Sequence, residues 1–160
     1  MKIRRYTDNY KEQVIQLILN IQNIEFNIPI NLQAQADLND IPRFYQKEHG
    51  EFWLAILNET VVGTIALVDI GNQQVTLRKM FVKKEFRGRE FATASRLLDT
   101  VFRHCRNNNV SELFLGTTDR FIAAHRFYEK NGFEIVDKTN LPENFPIMEV
   151  DSKFYRFGFD

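Results

Sequence analysis

The stretch with the clearest capacity for chemistry is Met80 to Thr93, which reads Met-Phe-Val-Lys-Lys-Glu-Phe-Arg-Gly-Arg-Glu-Phe-Ala-Thr. An apolar run ends at Val82 and a short charged turn crosses Lys83 to Glu85. Arg87-Gly88-Arg89-Glu90-Phe91-Ala92 then leads into an amphipathic segment. A strand, a basic glycine-containing loop and a helix N-terminus together make an anion site. The first amides of a helix have no intrahelical acceptor and point outward, and the helix dipole adds partial positive charge there. Phosphate is the natural ligand of such a loop.

The flanking pattern supplies the elements that must hold this loop. Val14, Leu17, Ile18 and Ile21 recur at helical spacing and predict a helix over about 10–24, with Thr7 or Asp8 as its cap. Pro29 makes 25–35 an ordered loop, and a second short helix is expected over 37–47, bent or interrupted at Pro42. Three strands follow, Phe52 to Leu57, Val61 to Ile70 and Val75 to Val82. They are joined by turns at Asn58-Glu59 and Gly71-Asn72, as an antiparallel meander. Glu90 to Asn107 is the strongest helix, with Ala94, Leu97, Leu98, Val101, Phe102 and Cys105 on one stripe. A short strand at Leu113 to Leu115 precedes a helix capped by Thr118 or Asp119 and stopped at Asn131-Gly132. Strands at Phe133 to Val136 and Ser152 to Phe159 complete an order that predicts an α/β (α+β) sandwich. Its central sheet is mixed and mostly antiparallel, about seven strands flanked by about four helices.

Composition bounds the function. The 160 residues fit one domain, 1–160, and 44% hydrophobic content with 15 Phe supports a real core. The formal net charge of +0 gives no global field for nucleic acid, so any anion site is local. A lone cysteine, Cys105, forms no internal disulfide and fits a reducing cytosol. The first residues lead into no secretory signal, and no apolar stretch reaches the roughly 20 residues that span a bilayer. The expectation is a cytoplasmic protein without a membrane or nucleic-acid partner.

A second motif, Ala124-His125-Arg126-Phe127-Tyr128-Glu129-Lys130-Asn131-Gly132-Phe133, follows downstream. With Arg87 to Ala92 and the element order, it resembles the GNAT superfamily of acetyl-CoA-dependent N-acetyltransferases, over the whole chain. The first motif is similar to that family's pyrophosphate loop, the second to its Ala-x-x-Phe-Tyr-x-x-x-Gly-Phe segment. The resemblance implies that the strands ending at Val82 and at Leu115 splay apart and that acetyl-CoA lies in the gap. Pantetheine would meet the main chain near Met80, Phe81 and Val82, and the pyrophosphate would meet the amides of Arg87, Gly88, Arg89, Glu90, Phe91, Ala92 and Thr93. Thr117, Ala124 and Phe127 would complete the cofactor wall. The Val82 amide would polarise the thioester carbonyl. Tyr128 would protonate the leaving thiolate, as a phenol of ordinary pKa about 10 can at neutral pH.

Two positions depart from the family pattern. Glu90 stands where a glycine is usual, and we read it as a helix-start carboxylate, favourable to the dipole. Phe121 stands where relatives often carry Asn, with Thr117 or Thr118 as substitutes for the polar contact. By residue pattern alone Tyr128 is a core aromatic on the apolar side of its helix; the resemblance makes it the general acid. Cys105 reads as a packed thiol. His49, His104 and His125 have no ligand spacing, so no metal is expected.

The acceptor is expected to be a small-molecule primary amine, attacked directly in a ternary complex. No carboxylate lies on the strand before the phosphate loop, leaving Glu25, Asp69, Glu149 and Asp151 as candidate bases, Glu25 foremost. If Arg78 faces the cleft, it points to an acceptor that carries a carboxylate. The aromatic last strand, Phe154 to Phe159, is explained either by a homodimer contact or by an internal partner strand. A catalytically weak acyl-CoA-binding regulatory module is the alternative reading. A nucleotide-binding domain is excluded by the absence of a Gly-Lys-Ser/Thr or Gly-x-Gly-x-x-Gly loop.

Overall fold

A computed structural model describes residues 1–88 and 90–160. β2 (Glu51–Leu57), β3 (Thr60–Gly71) and β4 (Gln74–Val82) form the expected antiparallel meander, and β1 (Lys2–Arg5) adds to it antiparallel beside β2. β5 (Glu112–Thr117), β6 (Glu134–Val136) and β7 (Lys153–Gly158) extend it into one seven-stranded sheet, ordered β1-β2-β3-β4-β5-β7-β6. Among the described residues, β4 and β5 pair parallel and every other neighbouring pair is antiparallel. Both edges of β7 are occupied, by β5 and β6, so its aromatic residues find their partners within the chain. Phe157, for example, stacks on Phe102 at 4.5 Å between ring centroids.

The period-two alternation of β2 sorts the core onto two faces. Phe52, Leu54 and Ile56 pack with α1 (Lys11–Leu19) and α2 (Ile41–Tyr45). Trp53 and Ala55 turn the other way, toward α3 (Thr93–Asn107) and α4 (Ile122–Lys130). The α3 stripe buries Leu97, Leu98, Val101 and Cys105, while Ala94 and Phe102 pack at its margin.

Several local expectations shift, each for a visible reason. The first helix ends at Leu19 and widens into a π-helical turn, Asn20–Glu25, closed by Phe26 N–H donating to Ile21 O at 3.1 Å. That extra residue per turn goes with a paired amide contact from Gln22 to Gln35, both buried. The second hairpin turns at Asn72-Gln73 rather than Gly71-Asn72. Both central residues are left-handed, at φ 56 and 61, as a primed turn requires. Asp40 caps α2, and Pro42 sits in its first turn, where no amide donor is needed, so it starts a helix instead of breaking one. The helix expected from Glu90 begins at Thr93, because Ala92 is left-handed at φ 51. Phe121 precedes α4 without a side-chain cap, while Thr118 instead accepts from the Arg120 amide at 3.4 Å.

Gly63 of β3 lets α3 press its N-terminus onto the sheet. A Cβ there would come within 3.2 Å of Leu97 Cδ1 and of Thr93 Cγ2. Gly63→Val is expected to destabilise the fold by about 1–3 kcal/mol, read as a lowered urea midpoint, with Gly63→Ala intermediate.

Candidate active site

β4 and β5 are hydrogen-bonding neighbours only at Gln74–Thr76 and Glu112–Phe114. Beyond those three residues the strands part, and two cavities meet in the opening. One is a cleft of about 340 Å³ bordered by the 87–88 loop and α4; the other is a pocket of about 130 Å³ under the loops at 28–35 and 145–151. Met80, Phe81, Thr117, Phe121 and Tyr128 wall both, so these five mark the junction. A β-bulge reinforces the split. Thr64 pairs with Phe81 and Ala66 with Arg78, which leaves one extra residue on β4, and Lys79 takes φ 54 there.

The register fixes where backbone groups point. Lys83 N–H donates to Val62 O at 2.8 Å, and Val82 stands opposite Gly63. In an antiparallel ladder hydrogen-bonded pairs alternate with pairs whose amides face outward. The Val82 N–H and C=O therefore face the cleft, while the main chain of Phe81 faces β3 and its side chain faces the junction. Tyr128 is 4% exposed, packed on Phe133 and Tyr155. Among the described residues no partner binds its hydroxyl, which is not sealed from the cavities. Burial pushes the phenol above its usual range, so it stays protonated at neutral pH.

At the other end of the cleft, Val82, Arg87, Gly88, Ala92, Thr93 and Phe127 surround a further hollow of about 360 Å³. The amides of Thr93, Ala94 and Ser95 open the helix and lack intrahelical acceptors by position. Not every loop amide is free: Arg87 N–H donates to Lys84 O at 3.3 Å and Ala92 N–H to Gly88 O at 3.1 Å. Ala124 and Phe127 wall the cleft on α4. Phe91 packs on Phe86 with ring centroids 5.2 Å apart. Glu90 is exposed, three residues before the helix rather than at its first turn. Arg89 lies outside the described residues. A cleft with an outward strand amide, free helix-start amides and an arginine fits a long ligand that carries both amide groups and phosphate.

Glu25 does not line the smaller pocket. Its carboxylate binds the Arg87 guanidinium twice, at 2.5 and 2.7 Å, across the mouth of the cleft. Arg78 does line the smaller pocket, with its guanidinium 5.8 Å from the centre of the Phe44 ring. Among the described residues no carboxylate forms an ion pair with it. Asp69 instead holds the His49 amide and His49 ring on the far side of the sheet end. Phe121 meets Phe26 and Phe81 edge-on, at 4.8 and 6.2 Å, where the notional polar contact would have stood.

Two further residues line the smaller pocket: Asp151, one of the four candidate bases in the sequence, and Lys79, to which the sequence assigned no role. Asp151 is brought there by Ser152 N–H donating to Thr117 O at 2.9 Å, at the open end of β5. Gly116 makes room for it, since a Cβ would fall 2.5 Å from Asp151 Oδ2. Burial raises the Asp151 carboxyl above its ordinary value, against the Met148 amide and the charge of Arg78, which lower it. Lys79 could have been flagged as a charge inside an apolar strand. It reaches Gln35 and, at 3.5 Å, Asp37, whose carboxylate also takes the Tyr45 hydroxyl. Among the described residues no group of three or more His, Cys, Asp or Glu side chains is arranged to hold a metal, and no helix is long and apolar enough to cross a membrane.

The sequence model described as Acetyltransferase (GNAT) family matches residues 15–133, and the chain belongs to that family. A solved acetyltransferase of the GNAT family from Staphylococcus aureus Mu50 is 42% identical over 98% of both chains, with a TM-score of 0.94. The PaiA N-acetyltransferase of Thermoplasma acidophilum, solved in complex with coenzyme A, shares the fold at 18% identity and a TM-score of 0.75 over 99% of this chain and 98% of that one. Among curated proteins, the N-acetylaspartate synthetase of Xenopus tropicalis is 40% identical over 106 residues. That match covers 64% of this chain and 38% of the frog protein, so the chain spans well under half the length of the curated relative.

The buried lysine yields a stability test. Burial lowers the Lys79 ammonium from 10.5 to about 8, outweighing the Asp37 charge that raises it. Between those values the unfolded chain holds the proton that the folded chain has lost. The penalty of burying the charge is therefore complete below pH about 8 and is relieved as pH climbs toward 10.5. Urea unfolding at about pH 7.5 and about pH 9.5 should show this relief in the native chain and not in Lys79→Met.

Proposed function

We propose that the chain transfers the acetyl group of acetyl-CoA to the amine of a small molecule bearing a carboxylate, an amino acid being the simplest member of the class. The observation that carries this reading is Arg78, a guanidinium in the wall of the smaller pocket, here taken as the acceptor pocket, that forms no ion pair among the described residues and shares the pocket with the carboxyl of Asp151. The name of the frog relative, a synthetase of an N-acetylated amino acid, supports the same class. The cytoplasm, where acetyl-CoA and free amino acids meet, is the proposed compartment.

Acetyl-CoA supplies an activated thioester carbonyl and a thiol leaving group. The Val82 N–H donates to the carbonyl oxygen as negative charge develops there; such a donor is worth about 2.7–4 kcal/mol in related oxyanion sites. Arg87 and the amides opening α3 hold the diphosphate, and the outward Val82 carbonyl, which accepts from Arg87 Nε at 2.9 Å, has its second lone pair for the pantetheine arm. Arg78 holds the acceptor carboxylate and so aims its amine at the junction. Asp151 takes the proton that the ammonium must lose before attack, a task suited to a carboxyl raised by burial. Tyr128 gives its proton to the departing sulfur. The bond from amine nitrogen to acyl carbon forms as the carbon–sulfur bond breaks; the nitrogen's second proton returns to the Tyr128 oxygen, which restores the phenol, and free thiol leaves.

Thiol release in the presence of acetyl-CoA and a panel of amino acids tests the reading, beside calorimetric binding of acetyl-CoA. Arg78→Ala should raise KM about tenfold or more for amino acids and leave it unchanged for the matching decarboxylated amines. Tyr128→Phe should lower kcat about tenfold or more while thermal stability and acetyl-CoA affinity stay native, because the hydroxyl binds no protein group. Turnover confined to amines without a carboxylate, or undiminished in Arg78→Ala, would refute the acceptor class.

A further inference from the structure

We infer that Glu25 is an internal counter-anion, which occupies the phosphate-binding arginine and is displaced when a diphosphate-bearing donor enters. The inference rests on the acetyl-CoA reading above.

The geometry is that of an anion already bound. Arg87 Nη1 and Nη2 donate to the two Glu25 oxygens at 2.5 and 2.7 Å, and Arg87 Nε donates to Val82 O at 2.9 Å. A two-point fork of this kind is how a guanidinium recognises carboxylate or phosphate alike. Arg87 borders both the cleft and the hollow at the start of α3. Its outward N–H groups are the side-chain donors that a diphosphate in that hollow would meet, and a carboxylate holds them. The third contact matters as well, because Val82 O is the cleft-facing carbonyl of the splayed strand.

Glu25 arrives from the opposite wall. It ends the π-helical turn Asn20–Glu25, whose Ile21 and following Phe26 line the cleft. The main chain of this wall is tied down: Ile28 N–H donates to Gln22 O at 2.7 Å, and Arg120 donates to Asn27 O at 2.8 Å. The side chains of Glu25 and Arg87 are 27% and 37% exposed. Exchange therefore needs a swing of the Glu25 side chain into solvent and no opening of the wall. Leaving the carboxylate in place would set it against two phosphates on one guanidinium, a like-charge contact that disfavours the complex. Glu25 is a positioning residue here: it holds Arg87 on the Val82 carbonyl while the cleft is free of donor, and it sets how strongly an incoming diphosphate must compete.

The test is calorimetric affinity for two donors that differ in the diphosphate, acetyl-CoA and acetyl-pantetheine, on the native chain, Glu25→Gln and Glu85→Gln. Glu85 is an exposed acid in the same loop region, so its variant makes the same change in net charge without freeing Arg87. Glu25→Gln is expected to bind acetyl-CoA about three- to tenfold more tightly, with acetyl-pantetheine affinity unchanged and Glu85→Gln near native. Glu25→Ala should follow Glu25→Gln, and urea midpoints confirm that each variant is folded. Unchanged or weaker acetyl-CoA binding by Glu25→Gln overturns the inference and leaves the acetyltransferase reading intact. So does equal tightening by Glu85→Gln, which would mean a general field effect. Failure of every protein to bind acetyl-CoA overturns both.

Discussion

Every feature of the candidate site depends on the two central parallel strands staying together for three residues and then separating. A strand that leaves its neighbour exposes a row of main-chain donors and acceptors, and inside a protein such groups require partners. The chain meets part of that need itself, through Arg87 Nε on the Val82 carbonyl. The rest is left facing a cleft. A ligand with amide groups of its own completes the ladder there, which is why an extended, amide-rich arm suits this fold.

The split persists because both faces of the sheet are rigidly packed. α3 and α4 cover one face, and α1 with α2 cover the other. Gly63 brings α3 close to β3, so the loop before α3 has little freedom to drift from the end of β4. The bulge at Lys79 adds an extra residue where the strand must bend. Holding a lysine at positive φ and burying its ammonium are both unfavourable on their own. Asp37, Gln35 and the Tyr45 hydroxyl answer the second with a connected polar cluster beneath the acceptor pocket.

Charge in this molecule is arranged locally. Its formal net charge is +0, yet the two cavities differ in sign pattern. The cleft mouth carries an arginine already neutralised by a carboxylate, whereas the smaller pocket carries an arginine with no ion pair among the described residues and a carboxyl raised by burial. On the proposed reading, a diphosphate would replace the first carboxylate because it offers more charge to the same fork, and a carboxylate-bearing amine would meet Arg78 in a pocket that also holds Asp151.

Local pattern was enough to determine the element order and the strands that the hairpins join, with one turn displaced by a residue. Hydrophobic period, turn residues and a basic glycine loop act over a few neighbouring residues, and a single chain displays them directly. Thus the meander, the α3 stripe and the family resemblance were legible. What the sequence could not express was which distant side chains share a wall. Glu25 read as a candidate base and became the partner of Arg87, 62 positions away. Asp151 was one of four candidate bases scattered along the chain until pairing of β5 with β7 carried it over Gly116. Even the helix start moved by three residues, because a left-handed Ala92 and a Thr93 hydroxyl bound to Phe86 O answer to the packing of α3 rather than to propensity. Partner choice and cap position are settled by long-range packing, whose energies exceed the fractions of a kcal/mol by which local preferences differ.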